Sequence, residues 1–192
     1  MKKTLISGAV GAAILAGGAL QAVQAAPIVV SGNFIQLKVS DDGTIGDGNS
    51  LPALIYDPTG TGTFDPNTDY VAPGIPFEAF GFRSDQTGSS PIANSNDNFN
   101  GGGSIGGDDA FNMNSLADLS GGAFDHHIRW TGTSQDGLVG IQHDFFFASN
   151  SERINLQTII TALTENLTGV RFSRAVDPDP DNVPGGSADT AN

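Results

Sequence analysis

FDHHIRW (residues 124–130) followed by VGIQHDFFF (residues 139–147) decides the fold. In the first run Phe124, His126, Ile128 and Trp130 share one side of an extended chain, while Asp125, His127, Arg129 and Thr131 share the other. In the second, Val139, Ile141, His143, Phe145 and Phe147 repeat the pattern. Gly132 to Gly137 between them is rich in turn formers, so the two runs predict an antiparallel hairpin with Trp130 in the core. Setting Trp130 opposite Val139 places His126 opposite His143 on the core face.

Further extended runs lie on either side. Arg153 to Ala162 and Val170 to Val176, joined by Thr164 to Gly169, predict a second hairpin. Its core face carries Ile154, Leu156, Ile160, Val170, Phe172 and Val176, with Thr158 completing the alternation. Asn166-Leu167-Thr168 fits a glycosylation sequon and is read as turn chemistry. Upstream, Ile28 to Val39 is a strand pair, or one bent strand broken at Ser31-Gly32-Asn33. Leu51 to Tyr56 and Pro76 to Arg83 are shorter strands, separated by the acidic loop Asp57 to Tyr70. Gln86 to Asp109 reads as a flexible Gly/Asn/Ser-rich excursion, and Phe111 to Leu119 as a short helix.

The expected fold is all-β, an antiparallel β-sandwich of jelly-roll or supersandwich type, forming a single domain over residues 26–181. A signal-peptide helix over residues 1–25 precedes it, with Lys2 and Lys3 ahead of an apolar run and Val23-Gln24-Ala25 as the cleavage site. That run is shorter than the roughly 20 residues needed to span a bilayer, so the mature chain is expected to be exported, without a membrane span. Residues 182–192 form a polar tail, the ending expected of a piece of a longer gene product.

Removing the signal takes the net charge from -13 to about -15, which disfavours nucleic acid and anionic lipid as partners. There is no Cys, which excludes disulfides, thiolate catalysis and zinc-thiolate sites. Of the 21 acidic residues 18 are Asp, a residue of turns, and calcium is bound by such clustered loop oxygens. Asp177, Asp179 and Asp181 in DPDPDN, and Asp65, Asn67 and Asp69 in DPNTDY, have the alternate spacing of the first three ligands of a calcium loop. Asn182 and Tyr70 replace the following glycine, and Ala188 and Pro76 the twelfth-position Glu, which rejects an EF-hand and leaves a looser calcium site at a sandwich edge.

His126 and His143, facing each other, would offer two imidazoles to a metal but no third ligand, and are read as hydrogen-bonded core residues. No nucleophile motif is present, so no catalytic residue is assigned. Tyr56, Tyr70 and Trp130 would make a sugar-stacking platform if exposed, but alternation puts Trp130 inside.

The segment Arg153 to Asp181, with Arg174 followed by Asp177-Pro178-Asp179, resembles a strand-turn-strand unit of large exported bacterial surface proteins. The resemblance implies an antiparallel sandwich outside the cell, in some cases beside calcium-binding repeats. The function expected is a secreted or cell-surface module, structural or adhesive, with a protein or glycan partner and calcium as an optional stabiliser. The alternative is a carbohydrate-binding module or accessory domain of a secreted glycoside-active enzyme.

Overall fold

Alternating apolar residues become strands here because each strand can bury one face. In chain order these are β1 (Ile28–Ser31), β2 (Ile35–Val39), β3 (Leu54–Tyr56), β4 (Glu78–Arg83) and β5 (Ile92–Ser95), then β6 (Phe111–Asp118), β7 (His126–Ser134), β8 (Val139–Phe147), β9 (Asn155–Ala162) and β10 (Arg171–Val176). The structure is a computed structural model and describes residues 26–47, 52–71, 78–88, 90–96 and 110–176. The expected signal peptide and polar tail therefore lie outside the described residues.

The strands form three antiparallel sheets: β1-β2-β3, β10-β4-β5 and the meander β6-β7-β8-β9. The two smaller sheets lie side by side across the four-stranded one. Val30, Ile35, Leu37 and Val39 pack on Ile128, Phe145 and Phe147 at one end of the meander. Phe80 and Phe82 pack on Phe111, Trp130, Val139 and Ile141 at the other. The fold is thus an all-β antiparallel sandwich whose interior is the alternating face of β7 and β8.

The register of the β7–β8 hairpin differs from expectation by four residues: Trp130 lies opposite His143, and His126 opposite Phe147. Gly132 and Thr133, taken for turn residues, stay in the strand. The Trp130 indole covers Gly132 so closely that an added Cβ would stand 2.2 Å from a ring carbon. The turn falls later, where Gly137 has φ 73° and Asp136 Oδ1 accepts bonds from Ser134 Oγ and the Leu138 N–H.

Three other expectations are corrected. Phe111 to Leu119 is not a helix but β6, because pairing with β7 outweighs the helix preference of its Met, Leu and Ala. β9 and β10 are not a hairpin: β9 pairs with β8 and β10 with β4, so consecutive strands join opposite layers. Their supposed core residues divide accordingly. Ile154, Ile160 and Phe172 pack against the core, whereas Leu156, Val170 and Val176 are exposed. Finally, the Gln86 to Asp109 stretch contains β5, whose Ala93, Asn94 and Ser95 are buried; residues 97–109 lie outside the described part. Asn is not a loop residue here. The Asn94 amide bonds Asp42 O and both backbone polar groups of Phe111, and the Asn96 amide bonds Ile45 O and the Glu78 N–H.

One ion pair fastens the sheet β10-β4-β5 to the loop after β2. Arg174 Nε lies 2.5 Å from Glu78 Oε1, and Arg174 Nη2 donates to Oε2 at 2.8 Å. The Ile45 N–H adds a bond to Oε2 at 2.7 Å, and Arg174 Nη2 also reaches Gly43 O at 3.3 Å. Burial pushes the Glu78 carboxyl up, with Arg174 and the Ile45 N–H opposing it. Oε2 thus collects both hydrogen bonds, while Oε1 meets Arg174 Nε as a close charge contact without a hydrogen bond.

Breaking a buried pair from one side strands the other charge. Arg174→Met is expected to cost about 3–5 kcal/mol in urea unfolding, and the double variant Glu78→Gln/Arg174→Met less than that single change.

Candidate functional site

The two histidines proposed to face each other are apart. His143 is fully buried, stacked on Trp130 with ring centroids 5.4 Å apart and edge-on to Phe80 at 4.5 Å. Its Nδ1 lies 2.9 Å from Thr158 Oγ1. Phe145 and Phe172 lie beside it, and its Nε2 has no hydrogen-bond partner among the described residues. Among the described residues no group of three His, Asp or Glu could hold a metal ion.

His126 sits at the rim, its Nε2 3.1 Å from Ser149 Oγ, while Asp125 Oδ2 accepts the Ser149 N–H. An imidazole beside a hydroxyl is half of a nucleophilic site. Among the described residues no carboxylate is hydrogen-bonded to the other ring nitrogen to orient it, so the pair reads as a loop clasp.

On the outward face of the meander, the buried Asp144 collects His127 Nε2 at 2.6 Å, Arg129 Nε at 2.7 Å and Gln142 Nε2 at 2.6 Å. Burial raises this carboxyl, but the bonds from Arg129, His127 and Gln142 prevail and hold it below the usual carboxylate range. Phe124 is on this face too, stacked on Phe146 with centroids 4.1 Å apart, rather than on the core face where alternation placed it. The carboxylate thus braces β7 against β8, with His127 and Arg129 on one strand and Gln142 on the other.

The acidic loop Asp57 to Tyr70 uses its carboxylates internally. Asp57 accepts from the N–H and hydroxyl of both Thr59 and Thr61 and from the Thr63 N–H; the Thr59 hydroxyl is the main reason its pKa lies well below the usual range. Asp69, a calcium candidate, is fully buried and accepts the N–H groups of Ala53, Leu54 and Val71. Asp65 and Asn67 fall in or beside the short 3-10 turn Pro66–Thr68, where Asp65 O accepts from Thr68. Asp177, Asp179 and Asp181 lie outside the described residues.

Two open surfaces among the described residues bear on the expectations above. Half-buried Tyr56 and Tyr70 flank a shallow groove of about 280 Å³ with Ile35, Leu54, Ile154 and Glu152. Trp130 is excluded from any such platform by its complete burial. The second lies along β9 and β10, edge strands of their sheets among the described residues, where Leu156, Ile159, Leu163, Val170 and Val176 are each 39–49% exposed. Sequence reasoning missed this patch because it paired the two strands with each other.

The chain matches no known protein family, no curated protein and no solved structure. Among the described residues no helix is long and apolar enough to cross a membrane.

His143 supplies a pH test. Burial, with the Arg174 charge second, pushes its imidazole down to about 2. An unfolded imidazole titrates near 6.5, so below that pH the unfolded chain takes up a proton that the folded chain refuses. Its contribution is therefore full above about pH 6.5 and is lost as pH falls, about 3 kcal/mol by pH 4. Urea titrations from pH 7 to 4 should show this slope, and His143→Gln should flatten it.

Proposed function

We propose that this chain is a secreted or cell-surface β-sandwich module with a structural or adhesive role, working by binding rather than by chemistry. The observation that carries the reading is the apolar surface on β9 and β10. Five of the eight exposed large apolar residues lie between Leu156 and Val176. Sheet edges in soluble proteins are ordinarily blunted by charge, Pro or a bulge. β9, NLQTIITA, is eight residues of open edge without a single charge. Such an edge suits a partner that adds a strand or covers the patch. Export is expected from the Lys2 to Ala25 segment. The calcium component rests on Asp177, Asp179 and Asp181, since Asp69 is occupied by backbone donors.

A second reading, carbohydrate binding, is favoured by the Tyr56–Tyr70 groove, where phenol rings border apolar floor and a carboxylate. It covers less surface and has lost Trp130.

Two measurements test the first reading. In the mature protein, Ile159→Lys should leave the urea midpoint almost unchanged, because the side chain is exposed, yet abolish co-sedimentation with envelope fragments of the producing cell. Retention of the variant at wild-type levels would sink the adhesive role. Millimolar calcium should raise the thermal midpoint of a chain reaching Asn192, and Asp177→Asn/Asp179→Asn should remove the rise. No rise in the wild type would discard calcium.

A further inference from the structure

Setting Lys2 and Lys3 aside, six basic residues face 21 acidic ones. Arg129 is paired with Asp144 and Arg174 with Glu78, and Lys38 is buried near Asp47 and Asp69. Arg83 and Arg171 are placed otherwise. They lie directly opposite each other on β4 and β10, and among the described residues neither forms an ion pair. Like charges directly across an antiparallel pair repel. A chain with a large excess of carboxylates has left its one cross-strand pair of cations, among the described strands, without one.

These arginines border a groove of about 670 Å³, lined also by Gly81, Pro91, Val170 and Ser173. Its volume is in the range of small-molecule sites, about 300–1,000 Å³. Strand alternation turns Arg83, Gly81, Arg171 and Ser173 away from the core, while Phe80, Phe82 and Phe172 face into it. Gly81 keeps the floor low: a Cβ there would stand 3.3 Å from Ser173 Oγ. The Ser173 hydroxyl has no hydrogen-bond partner among the described residues.

We infer that this groove binds an acidic sugar, a pyranose bearing one carboxylate. The two guanidiniums take the carboxylate, each offering a planar fork of donors to its oxygens. Pro91 and Val170 meet the C–H face of the ring, and Ser173 meets a ring hydroxyl. The charge of the rest of the chain sets the size limit. A net charge of about -15 repels a long polyanion, whereas one carboxylate between two arginines meets attraction close by. Bare inorganic anions would use the arginines but not the Gly81 floor, the apolar wall or the hydroxyl.

The proposal rests on the binding-module reading and shares Val170 with the apolar surface, but its arginines and Ser173 lie outside that surface, so the two fail separately: Ile159→Lys leaves this groove untouched. The test is amide NMR titration of the mature protein with galacturonate, galactose and sodium sulfate at matched ionic strength. Galacturonate should shift Gly81, Arg83, Arg171 and Ser173, with galactose and sulfate each at least tenfold weaker. Arg171→Gln and Arg83→Gln should each weaken galacturonate roughly tenfold or more while preserving the spectrum elsewhere, and Arg153→Gln, at an exposed arginine away from the groove, should change nothing. Equal binding of galactose or of sulfate, an equal loss in Arg153→Gln, or no shift at these residues at tens of millimolar galacturonate would each overturn it.

Discussion

The Glu78–Arg174 pair is the constraint on which the interior depends. An ion pair this deep contributes little net stability, because desolvating two charges offsets their attraction. What it does is fix positions. Glu78 cannot be buried unless β10 brings Arg174 beside β4 and the chain after β2 brings the Ile45 N–H. The guanidinium also lies 5.0 Å from the Phe145 ring centroid and 5.9 Å from that of Phe80, so the charge sits between the two layers. His143 in turn is held neutral beside it. Gly43, whose carbonyl accepts from Arg174, has φ +77° and lies where a Cβ would meet the Trp130 indole at 2.5 Å. The indole N–H bonds Asp41 O, completing a chain of contacts from β4 to β7 that only one arrangement of strands satisfies.

Alternation made the layer legible but not its connections. Ile128, Trp130, Val139, Ile141, His143, Phe145 and Phe147 are buried where a period of two places them. The register was not readable, since Gly132 signals a turn by composition and a close approach by structure, and composition cannot separate the two. The pairing of β9 and β10 was misjudged because sequence neighbours usually pair, while the residues that send β10 to β4 are distant: Arg174 and Glu78 are 96 positions apart. The opposed Arg83 and Arg171 are illegible for the same reason. Neither lies in a motif, and their meaning comes from being opposite.

The acidic residues show how composition misleads about chemistry. Spacing made Asp69 a calcium candidate, yet it turns its oxygens to N–H donors of this chain, as Asp57 and Asp144, outside any such spacing, do with N–H and hydroxyl donors. Each carboxylate gathers three or more donors and so closes a loop or braces a strand pair. In a protein without cysteine this supplies local cross-links that an exported domain often draws from disulfides. Asp57 and Asp144, held below the usual carboxylate range by these bonds, keep their charge to low pH.

What remains is the asymmetry between a closed interior and an open flank. β9 ends one layer and β10 begins the edge of the other, and only residues 163–170 connect them. Leu163 packs on Gly140 and Leu167 on the core, so this short link stays against the sandwich and brings both open edges to one flank. An ordinary sandwich places polar residues there. Here the inward alternation of β9 still supplies Leu156 and Ile160, and Leu156 is left in solvent because, among the described residues, no strand beyond it completes the layer. Leu156 is thus the margin of the core itself, whereas Ile159, opposite Gln142, stands on the outward face. On the binding role proposed above, a partner meeting this flank would extend packing already begun inside.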